Sequence, residues 1–446
     1  MSSLTFKKGI HPKHAKHFTK DKAIEYILPK GDVTIMLQQH IGAPCSPLVK
    51  VGEEVLVGQK IGDSESFVSA PVHSTVSGKV KKIMDVLHPN GSKSTGIIIE
   101  NDGLYNEVEM IPKDPYSMSK DDILATIREA GIVGMGGAGF PTFIKLNPPK
   151  DKVVDYIIVN GAECEPYLTS DHRVMLEESD RIIKGLSVIL TLYPEAKGII
   201  GIEDNKPDAI EAMRKALSNF QKESDLKIAK NMEVASLATK YPQGAEKQLI
   251  YSITKREVPG GKLPADAGCI VQNIDTVVAI HRTFFRGRPL MRRIVTVSGE
   301  NVKNPGNYKV KIGTSYRQLI EYAGGDVENT KKIISGGFMM GLAIFDIDIP
   351  IIKTSSSILL LSDEEMHSGE ESPCIRCGKC VDACPMNLLP LDLDRFARNN
   401  ATEAFETYKG MHCIECGSCS FVCPSKRYLV QSIRTTRRTV MAERRK

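Results

Sequence analysis

A chain of 446 residues is too long to fold around one core and divides into roughly three or four domains. Its 41% hydrophobic and 25% charged residues exclude wholesale disorder. The longest uncharged apolar run, Ile333 to Phe345, falls well short of the ~20 residues that span a bilayer. The net charge of +5 is modest but uneven: from Lys426 to Lys446, eight Lys or Arg face the single acid Glu443. Such a tail reads either as a solvated terminus or as a contact for an acidic partner or membrane surface.

The N-terminal stretch MSSLTFKKGIHPKHAKHFTK is polar and basic without the apolar core of a signal peptide, so a soluble or peripheral protein is expected. Eight of the eleven cysteines fall in two short clusters, which points to metal ligation in a reducing compartment, the cytoplasm. Residues 40–100 alternate Val and Ile between glycine turns, the pattern of a small β-barrel or flattened sandwich. The segments PLVKVGEEVLVGQKIGD and SAPVHSTVSGKVKKI resemble the two halves of biotinyl/lipoyl carrier domains. No Lys stands between Lys60 and Lys79, so carrier function is not expected. This N-terminal barrel-sandwich domain is assigned to residues 1–110.

Over 115–290 the periods of helix and strand alternate. KDDILATIREAG predicts a helix stopped by Gly131, 153–160 and 198–204 read as buried strands, and RVMLEESDRIIKGLSVIL as a helix between them. A further helix starts at Pro207. This order implies a parallel sheet with right-handed crossovers. At 294–325 an Asn-Pro-Gly turn joins two alternating strands ahead of one helix, within a module assigned to 291–365. The stretch SDEEMHSGEES at 362–372 reads as a linker.

CIRCGKCVDACP contributes Cys374, Cys377, Cys380 and Cys384, and CIECGSCSFVCP contributes Cys413, Cys416, Cys419 and Cys423. Each is the C-x₂-C-x₂-C-x₃-C-P run of bacterial ferredoxins, whose fourth Cys crosses to the other cluster. One [4Fe–4S] cluster is therefore assigned to Cys374, Cys377, Cys380 and Cys423, the other to Cys413, Cys416, Cys419 and Cys384. Zinc ribbons use separated C-x₂-C pairs rather than such triplets. The intervening LLPLDLDRFARNNATEAFETYKGMH has a helical period, so a helical ferredoxin domain is expected over 366–430, with a basic tail over 431–446. Cys45, Cys164 and Cys269 stand alone and receive no role.

GIVGMGGAGFPT at 132–143 carries the G-x-G-x-x-G spacing at Gly134, Gly136 and Gly139. A dinucleotide fingerprint follows a strand and opens a helix; here a helix comes first, so that match is accidental. Consecutive N–H groups can still form an anion nest or admit a flat ring, and the residues alone leave a structural turn and a cofactor loop both open.

GMGGAGFPTFIK is similar to the flavin loop of the FMN- and NADH-binding subunit of respiratory complex I and of NAD-dependent hydrogenases. The resemblance implies that Gly134, Gly136, Gly137, Ala138, Gly139 and Phe140 bed FMN and nicotinamide, and that Lys145 helps hold the flavin. NGAECEP resembles the family's Asn-Ala-Asp-Glu-Ser-Glu-Pro stretch, carrying over Asn160, Glu163 and Glu165, with Ala162 and Cys164 in place of Asp and Ser. YPQGAEKQLI carries over Gly244 and Glu246, with Ala245 replacing an acid, and VQNIDT carries over Asn273 and Thr276. For each acid alone, a surface charge is the ordinary reading; their clustering after strands favours a site.

The order of segments, with VSGENVKNPGNY similar to a soluble-ligand-binding β-grasp (SLBB) module and ISGGFMMG following it, resembles end to end the RnfC family, the C component of the Rnf complex. Phe338 stands where that family usually has Pro. The resemblance implies a multidomain α/β plus β protein: a lipoyl-like barrel-sandwich, a Rossmann-like FMN/NADH domain of complex I type, the β-grasp module, and a helical domain with two [4Fe–4S] clusters. It implies a peripheral electron-transfer component of a membrane-bound, ion-translocating ferredoxin:NAD⁺ oxidoreductase on the cytoplasmic face of the bacterial inner membrane. The implied cofactors are two [4Fe–4S] clusters, FMN and NAD(H). The implied partners are the other Rnf subunits and, indirectly, ferredoxin, with no nucleic acid and only peripheral membrane contact. Two alternatives are a soluble NADH-dependent reductase of cobalamin-reductase type, in which the barrel lies at the other end, and an electron wire lacking a nucleotide site.

Overall fold

In the computed structural model, which describes residues 4–366 and 369–444, the β-branched runs of the N-terminal region pair into two small antiparallel sheets. One has the order Val33–Met36, Lys93–Asn101, Gly78–Leu87, Glu54–Val55; the other Ser46–Pro47, Lys60–Asp63, Val72–His73. Alternate side chains, among them Val33, Ile35, Ile61, Val72 and Ile97, close one core between them, the barrel-sandwich expected. Strand Glu25–Ile27 departs from that unit and adds in parallel to Gly306–Lys311, giving an otherwise open sheet edge its backbone partners.

The next unit is a four-stranded parallel sheet in the order Met232–Leu237, Lys197–Glu203, Tyr156–Gly161, Cys269–Asn273. Ile157 and Val159 face a core shared with helices Ser179–Thr191, Pro207–Glu223 and Ile274–Arg286. Ile158 and Val271 face a second core with helix Glu246–Thr254. Burial on both faces explains why these strands read as continuous apolar runs. The single helix expected at 173–190 is two, Ser170–Glu177 and Ser179–Thr191, broken at Glu178 (φ −128°). The Glu178 carboxylate accepts Arg282 Nη2 at 2.6 Å and Lys309 Nζ at 2.8 Å, ion pairs that a continuous helix cannot see from its own sequence.

Arg292–Ser298 and Gly306–Lys311 form the expected hairpin, capped by helix Tyr316–Tyr322. They sit in a six-stranded mixed sheet with Ser357–Leu361, Lys332–Ser335 and Leu342–Ile344. Of the linker expected at 362–372, His367 and Ser368 lie outside the described residues, as do Arg445 and Lys446 of the tail.

The C-terminal unit is helical, as its period predicts: Lys379–Ala383, Pro390–Arg398, Thr402–Thr407, Ser418–Phe421 and Leu429–Glu443. The boundary expected at 430 falls inside the last helix. Leu429, Ile433 and Val440 are buried there, and Arg434 pairs with Glu415 at 2.7 Å. As far as Arg444 the basic stretch is thus an amphipathic helix with part of its charge spent within the domain.

Candidate cofactor site

The glycine loop is a closed excursion. Gly134 N donates to Phe140 O at 2.9 Å, and Val133 bridges Pro141. Inside it Gly136, Gly137 and Ala138 are exposed. A Cβ on Gly137 would meet nothing within 4 Å, whereas one on Gly136 would lie 2.9 Å from the Asn273 side chain. Gly139 (φ +75°) packs against Thr354 and the Gln39 carbonyl, a backbone approach that only glycine permits. Met135 N donates to Thr276 Oγ1 at 3.1 Å. Asn273 caps helix Ile274–Arg286 through Oδ1 and donates from Nδ2 to Asp171 Oδ2 at 2.7 Å. Loop and helix N-terminus therefore form one surface.

The second wall is the loop 160–169, leaving the C-terminal end of strand Tyr156–Gly161, where open α/β sheets bind ligands. Asn160 Nδ2 donates to Gly244 O at 2.8 Å, and Gly244 N donates to Cys164 Sγ at 3.3 Å. Glu163 is held in the left-handed region (φ +47°). Its Oε1 accepts from Asp171 N at 2.7 Å. Its Oε2 is buried without a hydrogen-bond partner, 3.6 Å from Lys16 Nζ. Lys16 also donates to the carbonyls of Glu163, Glu165 and Leu168 at 2.9, 3.1 and 2.5 Å. One buried ammonium thereby folds the acid loop. Lys145 and Glu246, both expected at the site, meet each other at 2.6 Å.

Burial sets the charge states. Burial pushes the Glu165 carboxyl up to about 7 despite hydrogen bonds from Met339 N and Tyr241. Asp171 rises to about 7 as well, through burial first and then the nearby Glu163 and Asp275. Burial lowers Lys16, with Glu163 opposing. The proton inventory around Tyr241 agrees. Tyr241 Oη lies 2.7 Å from Cys416 O and 3.3 Å from Glu165 Oε1, yet a phenol has one proton. If the shorter contact takes it, the longer one is satisfied when Glu165 carries a proton and donates to Oη.

The ferredoxin cysteines surround two separate cavities. Cys384, Cys413, Cys416 and Cys419 line one; Cys374, Cys377, Cys380 and Cys423 line the other. Among the described residues no three His, Cys, Asp or Glu side chains form a group able to hold a single metal ion. Thiols spread around a void suit a cubane rather than zinc. The first cavity adjoins the glycine-loop domain, through Tyr241 and through Gln248, whose Nε2 reaches Pro385 O at 3.4 Å. Flavin fits the other site through an open glycine bed, with Gly136, Gly137 and Ala138 exposed and no neighbour within 4 Å of a Cβ at Gly137.

Lys16, Tyr241, Asp171 and Gln243 were not singled out from the sequence. Tyr241 and Gln243 do lie within YPQGAEKQLI, but the roles of Lys16, Tyr241 and Asp171 are set by contacts with residues up to 175 positions away. Lys16 does lie within GIHPKHAKHFT, part of the segment order that resembles the RnfC family.

Models of known families match four consecutive parts of the chain: the RnfC barrel sandwich hybrid domain over 4–104, the Nuo51 FMN-binding domain over 127–282, the SLBB domain over 294–343 and a 4Fe-4S dicluster domain over 373–427. The fold class and the FMN and [4Fe–4S] domains expected from sequence are borne out by these matches. In structure the chain is similar to an NAD⁺-reducing [NiFe]-hydrogenase in the H2-reduced state, with TM-score 0.50 and 17% identity over 74% of this chain and 62% of that one, a likeness of fold. It is 46% identical to the C component of the Na(+)-translocating ferredoxin:NAD(+) oxidoreductase complex of Acetobacterium woodii, over 99% of this chain and 98% of the relative. It is 50% identical to the C component of the proton-translocating ferredoxin:NAD(+) oxidoreductase complex of Clostridium ljungdahlii, over 96% and 93%. At that identity and coverage, the chain belongs to the RnfC family, the C components of Rnf-type ferredoxin:NAD⁺ oxidoreductase complexes.

Proposed function

We propose that this chain passes electrons between two [4Fe–4S] clusters, FMN and NAD(H), as the peripheral RnfC component of an ion-translocating ferredoxin:NAD⁺ oxidoreductase. FMN, when bound, supplies the exchange between hydride and single-electron transfer. The observation that most supports the reading is the Tyr241 hydroxyl, which spans from the acid loop to the Cys416 carbonyl. It joins the nucleotide-domain wall to the inner cluster cavity.

The chain's own groups have distinct tasks. Gly136, Gly137 and Ala138 offer an open backbone bed. Asn273 fixes the wall facing the glycine loop by capping helix Ile274–Arg286 and donating to Asp171. Asn160 orients the Gly244 turn, and Lys145 with Glu246 closes the rim. Glu165, raised to about 7 by burial, exchanges its proton near neutral pH, and buried Glu163 and Lys16 keep the acid loop in shape. Cys384, Cys413, Cys416 and Cys419 would hold the cluster nearer the bed, and Cys374, Cys377, Cys380 and Cys423 the outer one.

In this reading NAD(H) meets the exposed side of the glycine loop. Other subunits deliver electrons that originate on ferredoxin, and the chain sits on the cytoplasmic face of the membrane. Among the described residues no helix is long and apolar enough to cross a membrane, in keeping with a peripheral place.

The test is Gly137→Val. Position 137 has no positive φ and no neighbour within 4 Å, so the variant should fold with its clusters intact while its isopropyl group occupies the bed. After anaerobic purification it should lose most of its FMN, read from flavin absorbance and from absent NADH-driven bleaching. Full flavin retention would place the cofactor elsewhere.

A further inference from the structure

Helix Ile274–Arg286 meets the glycine loop at its N-terminus. Along it, from Asp275 in its first turn to Arg286 in its last, runs a cleft of about 360 Å³ lined also by Arg181, Arg282, Arg288, Arg292 and Lys309. These six cations come from separate helices, a turn and two strands of the β-grasp sheet, so the cleft exists only because two domains pack together. Two acids answer them: Glu178, paired with Arg181, Arg282 and Lys309, and Glu107, paired with Arg288. Asp275, also at the wall, is taken by Arg293. Among the described residues four positive charges are left uncompensated. Arg286 is exposed, and Arg292 lies over the Tyr26 ring at 4.9 Å without an ion pair among the described residues.

The crowding leaves a mark on its neighbours. Lys309 and Arg292 are lowered by burial and then by Arg282, and Lys311 falls to about 8 through burial, Arg292 and Arg288. The negative end of the helix dipole accounts for cations in its last turn, not for six gathered from both domains. Guanidinium groups present paired donors that match phosphate oxygens, and the cleft's size is that of a small-ligand site.

We propose that this cleft is a phosphate-binding site, separate from the flavin and nucleotide site, for an anion carrying at least two negative charges, either a free polyphosphate or a phospholipid headgroup. Its separateness from the nucleotide site rests on the flavin and NAD(H) placement proposed above; the gathering of the six cations does not.

The experiment uses the flavin- and cluster-loaded protein under anaerobic conditions, with saturating NAD⁺ and ionic strength held at about 0.15 M. Pyrophosphate is titrated calorimetrically, and binding to phosphatidylcholine vesicles with and without cardiolipin, whose headgroup carries two phosphates, is measured by co-sedimentation. Saturable pyrophosphate binding identifies a free phosphate ligand; binding to the anionic vesicles alone identifies a headgroup. Either should weaken about 10-fold or more in Arg286→Gln/Arg288→Gln, with flavin content and unfolding midpoint unchanged. The single variant Arg286→Gln, at an exposed position, serves if the double variant is unstable and should weaken binding in the same direction. Lys222→Gln/Lys227→Gln removes the same charge from exposed positions elsewhere and should bind as the parent does. No binding of either probe tighter than about 1 mM, equal binding by parent and arginine variants, or an equal loss in the lysine control would each overturn the proposal.

Discussion

Glu165 carries the clearest residue-scale consequence. Its carboxyl rises from an ordinary 4.5 to about 7 through burial, so the folded chain holds this proton more tightly than the unfolded chain. Its contribution to stability is full below pH ~4.5 and is lost as pH rises through ~7, roughly 3 kcal/mol in all. Glu165→Gln imitates the protonated acid, with its amide able to donate to Tyr241 Oη and its carbonyl to accept from Met339 N. Denaturant unfolding of flavin-free protein at pH 5 and pH 8 should therefore show a smaller loss for the variant than for the parent. An unchanged pH dependence would mean that Glu165 is ionised throughout. At this scale Glu163 and Glu165 were legible from their motif. Lys16 and Tyr241 were not, because a lysine or tyrosine acquires such a role only through partners that the fold delivers.

At the scale of elements, the C-x₂-C-x₂-C-x₃-C-P runs were legible because thiolate spacing within one loop is set locally. The crossing of the fourth cysteine depends on how two such loops pack, and the two cavities show the loops arranged for it. Cys384→Ser should then alter the same reduced-state EPR signal as Cys416→Ser and leave the signal altered by Cys377→Ser. Cys423→Ser should do the converse. If Cys384→Ser instead behaves like Cys377→Ser, the runs are self-contained. Helix Leu429–Glu443 shows the opposite case. Charge counting hid its buried stripe of Leu429, Ile433 and Val440, because arginines with long apolar stems can flank a packed face. The break at Glu178 was equally hidden, since its cause lies in Arg282 and Lys309.

For the whole molecule, Lys353 ties three units together. Fully buried, it donates to Pro71 O of the barrel-sandwich and to Gly131 O at the root of the glycine loop, each at 2.6 Å, while its own N–H reaches Gln39 Oε1 at 3.0 Å. Lys353→Met leaves two buried carbonyls unpaired, at a cost of about 2–5 kcal/mol. Thermal unfolding should start lower and flavin should dissociate faster, although residue 353 belongs to none of the flavin motifs. Parental stability and flavin affinity in that variant would show that the glycine loop is held by its own segment alone. The order of domains and the two cysteine runs were legible in the sequence alone, because turn, thiolate and helix signals act over a few residues; the reading of the glycine loop as a flavin bed came from its resemblance to a known family. Which strand completes which sheet, which buried ammonium supports which loop and where uncompensated charge gathers were decided by tertiary structure. Those outcomes depend on desolvation and on contacts between segments far apart in the chain, and neither is written in local spacing.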